Sequence, residues 1–162
     1  MTTSLTLLLR QLDNKKYKIY IHMTTYFISG HTDLTLDQFN SHYKSKITDA
    51  ASDSKSLFVM GDAPGVDFMA QKLLLDLLGD AIYERICVYH RGDKPYMLAD
   101  EKIKRIGGFK SHDNKDRQMT LDSNVDIAFV RSSEESKKLY GSKYNPNRKS
   151  GTEKNLERRT KS

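Results

Sequence analysis

The chain reads as a single α/β domain built on a doubly wound, mainly parallel sheet flanked by helices, and three observations carry that reading. Short runs rich in Val, Ile, Phe and Tyr alternate with segments of helical apolar period. Such alternation is the pattern of βα units joined by right-handed crossovers. The last run, 125–131, is apolar almost without interruption, as a parallel strand covered on both faces should be. A length of 162 residues suits one domain with a sizeable core and leaves no room for two.

Residues 1–22 carry no comparable pattern and are expected to be an extension outside the domain, with Met23 as the natural start and 23–162 as the folded unit. Residues 24–30, TTYFISG, form the first expected strand. A helix over 35–47 follows, started by Thr35 or Asp37, with Leu36, Phe39, Tyr43 and Ile47 on one face. The second strand is 56–61, SLFVMG. From Val66 a helix sets Val66, Met69, Ala70, Leu73, Leu74, Leu77 and Leu78 at i, i+3, i+4 and i+7 and stops at Gly79. That stripe has to pack on a sheet. A third strand over 84–90, a short polar helix over 113–124 and a fourth strand over 125–131 continue the alternation. Residues 132–150 look like a mobile loop, and 149–159 close the chain as a helix.

Hydrophobic residues make up 37% of the chain and charged residues 30%, which fits a soluble globular protein and excludes disordered and membrane classes. The early run Leu5 to Leu9 is too short for a signal sequence or a membrane span, so a cytoplasmic protein without membrane partners is expected. The single cysteine, Cys87, forms no internal disulfide and reads as a small buried hydrophobe. His90, His112 and Asp113 lack metal-ligand spacing, and neither metal nor cofactor is expected. Residues 131–162 hold ten Lys/Arg against four Asp/Glu, whereas 1–130 hold seventeen of each. A basic end of this kind attracts nucleic acid or a phosphorylated ligand, and equally forms a solvated surface. Its aromatic residues are only Tyr140 and Tyr144, weak support for a platform that stacks single-stranded bases.

Sheets of this type bind ligands outside the carboxyl ends of their strands, which directs attention to the loops there. In GDAPGVD, Gly61 and Gly65 permit a sharp turn and close approach, and the helix beginning at Val66 aims free N–H groups at the same spot. Gly61, Asp62, Ala63, Gly65 and Asp67 are thus candidate phosphate or ligand contacts. An ordinary tight turn with Asp67 as helix-dipole partner accounts for the same residues. Neither GxxxxGK nor GxGxxG is present, so ATP hydrolysis and dinucleotide binding are not implied. A second anion-suited helix start lies in KSGTEKNLERR, with Ser150 as cap, Gly151 for close approach and Thr152 as hydroxyl donor. A capped terminal helix with a basic outer face explains it as well. Gly30 and His31 end the first strand, where His31 either contacts base or phosphate or lies in a surface loop; Asp33 either holds a ribose or serves a turn. Arg117, in the stretch GGFKSHDNKDRQM, is expected to face the ligand cleft.

The segments FISGHTDLT, VMGDAPGVDFMAQ, GGFKSHDNKDRQMT, VDIAFVR and SGTEKNLERR, in this order over about residues 26–159, resemble the SLOG superfamily of Rossmann-like nucleotide-binding domains. The likeness is closest to small members with a Gly-Gly-Ala-x-Gly-x-Asp loop, and more distant to the Lonely Guy phosphoribohydrolases and the DNA-processing proteins. The resemblance implies that Gly61, Ala63, Gly65 and Asp67 form the first loop of a nucleotide site, Arg117 the arginine of the polar helix, and Ser150, Gly151 and Thr152 a second phosphate site. Members often dimerise, so a homodimer is an expectation from the resemblance alone. Two positions depart from the pattern. Asp62 stands where the family loop has its second glycine, and Asn155 where the phosphoribohydrolases have a glutamate. Asn cannot act as acid or base in N-glycosidic cleavage, which leaves Glu153 and Asp62 as the candidate catalytic carboxylates. Three functions follow as expectations: a nucleotide-binding sensor or carrier with phosphate at two helix N-termini, a nucleoside-monophosphate N-glycosidase, and a single-stranded nucleic-acid-binding module.

Overall fold

The computed structural model describes residues 23–161; the expectation concerning 1–22 lies outside the described residues. Five strands form one parallel sheet, β1 (Thr25–Ser29), β2 (Leu57–Met60), β3 (Ile86–Arg91), β4 (Lys104–Phe109) and β5 (Val125–Ala128), in the order β4-β3-β2-β1-β5. The chain walks outward from β1 to β4 and then returns to lay β5 beside β1, with Ser29 opposite Ala128. The order of strands therefore reverses between β1 and β5. In open parallel sheets that reversal opens a crevice outside the carboxyl ends of the strands.

Helix α1 covers 36–52 and is α-helical at Leu36–Phe39 and Ser45–Ser52, with a π-helical turn at Asn40–Lys44 between. Thr35 caps it in a reciprocal box with Gln38, and Leu34 before the cap joins Phe39 in the core as a hydrophobic staple. Phe39, Tyr43 and Ile47 are buried as expected, but Leu36 is 61% exposed. It occupies the first helical position, beyond the sheet, and Leu34 fills the place expected of it. Helix α2 (Val66–Leu78) buries Val66, Ala70, Gln71 and Leu74 on the same face of the sheet. Leu77, expected on the stripe, is 41% exposed, and Leu75 and Leu78 of the same turn pack against the core instead.

A short helix α3 (Ile82–Arg85) takes up the start of the third expected strand. On the opposite face, α4 (His112–Leu121) packs on β3 and β4, and α6 (Gly151–Lys161) packs on β5 and α4. Phe27, Val59, Tyr89 and Met119 form a smaller core there. Among the described residues no helix is long and apolar enough to cross a membrane.

Three expectations about elements need correction. The paired glycines Gly107 and Gly108 lie in an unanticipated strand, β4, rather than in a ligand loop. The His90 ring lies against Gly107 where a Cβ would sit, and Gly108 has φ of 86° beside an irregularity in the β3–β4 register. Residues 125–131 are not strand throughout: β5 is an edge strand that ends at Ala128, and Val125 at its start is exposed. Within 132–150, a helix α5 (Ser133–Tyr140) forms on a capping box of Ser132 and Glu135, a signal present in the sequence. Tyr140 Oη donates to Asp33 Oδ2 at 2.9 Å and so ties α5 to the loop after β1.

Candidate functional site

Where β1 and β5 part, the Tyr43 hydroxyl fills the gap between their ends. It donates to the Ser29 carbonyl at 2.8 Å and accepts from Phe129 N–H at 2.8 Å. The π-helical turn contains Tyr43 and presents it to this gap. Gly30 has to be glycine for a packing reason, since any Cβ there would strike the Tyr43 hydroxyl and Val66. Ser29 is 6% exposed, and its Oγ has no hydrogen-bond partner among the described residues.

The glycine loop folds as a tight turn onto α2. Gly65 adopts φ of 78°, and a Cβ there would come within 2.5 Å of the His31 and Thr32 carbonyl oxygens. Asp67, in the first turn of α2, returns to the loop: its Oδ2 accepts from Ala63 N–H at 3.2 Å and lies 2.5 Å from a Cβ built on Gly61. Asp62 is buried, and its Oδ2 accepts from Tyr96 N–H at 2.7 Å. Gln71 donates to the Gly61 and Met97 carbonyls and accepts from Ala99 N–H, so the loop after β3 is fastened to the glycine loop.

A buried cation joins this loop to the far helix. The Lys115 side chain is 4% exposed, with Nζ 3.7 Å from Asp62 Oδ1 and 3.9 Å from Asp116 Oδ1. Nζ also lies 3.0 Å from a Cβ built on Gly61. Asp116 accepts from Asn155 Nδ2 at 3.3 Å, and its Oδ2 lies 3.7 Å from a Cβ built on Gly151. The Gly61 loop and the start of α6 thus meet at one Lys115–Asp116 pair. Thr152 and Asn155 are buried, and Ser150 Oγ caps α6 by accepting from Glu153 N–H. Arg117, expected in the cleft, is on the outer face of α4 with its side chain 62% exposed, paired with Asp113. Two positions earlier on a helix of 3.6 residues per turn, Lys115 points the opposite way and is the cation that enters.

On the other flank, Arg131 donates to Asp33 Oδ1 at 2.6 Å, and its N–H donates to His31 Nε2 at 3.1 Å. Accepting at Nε2 leaves the proton on Nδ1 of a neutral ring. Burial, helped by the Arg131 charge, lowers the His31 pKa. Burial alone would raise Asp33, but hydrogen bonds from Arg131 and Tyr140 outweigh it and hold that carboxyl low. Asp33 is therefore engaged within the protein, as a loop tie.

The most perturbed carboxyl is Asp67. Burial, with Asp116 and Asp62 nearby, pushes it up to about 7 against the opposing pull of Lys115 and the Ala63 N–H bond. Burial also raises Asp116, against Lys115 and Asn155. Among the described residues no group of three His, Cys, Asp or Glu could hold a metal ion. The amine of Lys115 stands amid the three aspartates instead. A surface depression of about 470 Å³ is lined by Tyr96, Leu98, Arg105 and neighbours, and by no residue of the glycine loop or α6.

No family model matches the chain, and no curated protein or solved structure matches it either. The chemistry of the crevice rests on its own residues. Lys115 and Asp116 were contained in the motif around Arg117, yet only the rotation of α4 selects them. Ser29, Tyr43 and Arg131 had no separate signal in the sequence, since hydroxyl and charged side chains at strand and helix positions gain meaning only from what packs against them.

Proposed function

We propose that this chain binds a nucleotide or nucleotide derivative in the crevice at the carboxyl edge of β1, β2 and β5, as a sensor or carrier, with phosphate held at helix N-termini. One observation carries the reading: the Gly61 loop lies against Lys115 and the Gly151 helix start against Asp116, so the two loops meet at one buried ion pair. Helix N-termini carry partial positive charge and oriented N–H groups, which suit phosphate oxygens. The resemblance of the two loops to the SLOG superfamily supports the same reading.

Calorimetric titration of the full chain with ribo- and deoxyribonucleoside phosphates tests it. Gly151→Ala is the site variant, because its Cβ would meet Asp116 Oδ2 at an ordinary 3.7 Å and the fold tolerates it. Saturable binding that Gly151→Ala weakens about tenfold, or ~1.4 kcal/mol, without lowering the melting temperature is the expected result. Silence across the panel would refute the reading.

A second reading, N-glycosidic cleavage of a nucleoside monophosphate, draws support from Asp67, whose carboxyl near 7 can exchange a proton at neutral pH. Chromatography for free base after incubation with the same panel decides it, and Asp67→Asn should abolish any release. The nucleic-acid reading has less support, because Arg131, Lys149, Arg158 and Arg159 of the basic end are engaged in ion pairs within the protein.

A further inference from the structure

Residues 92–103, between β3 and β4, form no helix or strand and are nonetheless pinned along their inner side. Tyr96 N–H donates to Asp62 Oδ2 at 2.7 Å, and Met97 N–H donates to the Asp62 carbonyl at 3.0 Å. The buried Gln71 accepts the Ala99 N–H at 2.9 Å and donates to the Met97 carbonyl at 3.3 Å. Leu98 packs on the main core, and Asp100 accepts from Tyr83 Oη at 3.3 Å. A segment tied down in this way presents a preformed surface, which spares a ligand the cost of ordering it.

The outer side of the segment is the depression of about 470 Å³, a size suited to a small molecule, whose lining includes Asp93, Lys94, Tyr96, Leu98, Glu101 and Arg105. Tyr96 is 78% exposed, more than any other large apolar side chain among the described residues, although its own N–H is held by buried Asp62. A ring on a fixed backbone offers an offset-stacking face to a second ring. The charges beside it balance, two acids against two bases. Glu101 and Arg105 pair with each other at 3.2 Å, whereas the side chains of Asp93 and Lys94 form no ion pair or hydrogen bond among the described residues. One free anion next to one free cation complements a ligand that carries both signs.

We propose that this depression is a second ligand site, apart from the crevice, for a small zwitterion with an aromatic ring, of the class of the aromatic amino acids. The ring stacks on Tyr96, the carboxylate meets Lys94 and the ammonium group meets Asp93. Tyr96 belongs to both sites, since its ring lines the depression and its N–H holds Asp62 of the glycine loop. Occupancy therefore bears on the Gly61–Gly65 loop, and by linkage a ligand of the crevice bears equally on this site. The inference goes beyond the nucleotide reading and needs no nucleotide for its test.

Proton–nitrogen correlation spectra of the full chain, titrated with L-tryptophan, L-phenylalanine and indole, test it. Both amino acids should shift the amides around Tyr96 saturably, with the Asp62 and Ala63 amides following at the same midpoint. Indole, which keeps a ring and carries neither charge, should bind about tenfold more weakly than L-tryptophan. Tyr96→Ala should weaken L-tryptophan binding about tenfold. It should leave the melting temperature unchanged, because the side chain is exposed and alanine keeps the N–H that Asp62 accepts. Lys94→Met should weaken binding about threefold. Indole binding as tightly as L-tryptophan, or native affinity in Lys94→Met, overturns the zwitterion class. Native affinity in Tyr96→Ala overturns the role of the ring. Saturable shifts that leave the Asp62 and Ala63 amides unmoved overturn the link to the glycine loop. Absence of saturable shifts with either amino acid overturns the site and leaves the nucleotide reading standing.

Discussion

Asp67 couples the protonation of one carboxyl to the stability of the whole domain. Its pKa rises from 3.8 in the unfolded chain to about 7 in the fold, so between those values folding takes up a proton. Its contribution is complete below pH ~4 and is lost as the pH rises through ~7. Asp67→Asn keeps an oxygen for Ala63 N–H and should flatten this part of the stability–pH curve, raising the melting temperature at pH 8 relative to the parent. Thermal melts of both proteins from pH 4 to 8 check it, and parallel curves would contradict the assignment. Tyr43→Phe makes a different change: it strands the Ser29 carbonyl and the Phe129 N–H at the ends of two strands. A loss of about 1–3 kcal/mol in urea unfolding is expected. The glycines and Asp67 were legible from type and spacing, whereas Lys115 and Arg117 are two residues apart in one polar helix, and no apolar stripe marks which faces inward.

The turn between β2 and α2 depends on glycine for a reason that spacing alone anticipates. Gly65→Ala combines φ of 78° with a Cβ 2.5 Å from two carbonyl oxygens, and backbone atoms cannot step aside. It should cost more than ~2 kcal/mol, measured as a lower denaturant midpoint, so it is a poor variant for binding studies. Helix α2 followed its apolar period, since a stripe repeating every 3.6 residues has one way to bury itself. Strand β4 did not announce itself. KRIGGF has charges and two glycines where a strand usually shows branched apolar residues, and it pairs only because β3 offers an open edge. In α5 the capping box outweighed a polar composition that reads as loop.

For the molecule as a whole, the arginines of the basic segment 131–162 serve in part as internal wiring. Arg131 joins β5 to the loop after β1, Arg158 joins α6 to α4 through Asp113, and Arg159 joins α6 to Asp126 and to the Ser123 and Thr120 carbonyls. Arg159→Ala would leave Asp126 buried and uncompensated, and a loss of about 3–5 kcal/mol is expected in chemical unfolding. A loss under 1 kcal/mol would mean that α6 is held mainly by Thr152, Asn155 and their neighbours.

Local chemistry was enough to set the class of fold and the loops of interest: alternating periods, glycines before helices and side-chain caps act over a few residues and are written in consecutive letters. The position of β5 beside β1, the edge strand β4, the inward turn of Lys115 and the orphaned hydroxyl of Ser29 were decided only by tertiary packing. Each depends on residues far apart in the chain, whose distances are set when the two helical layers close on the sheet.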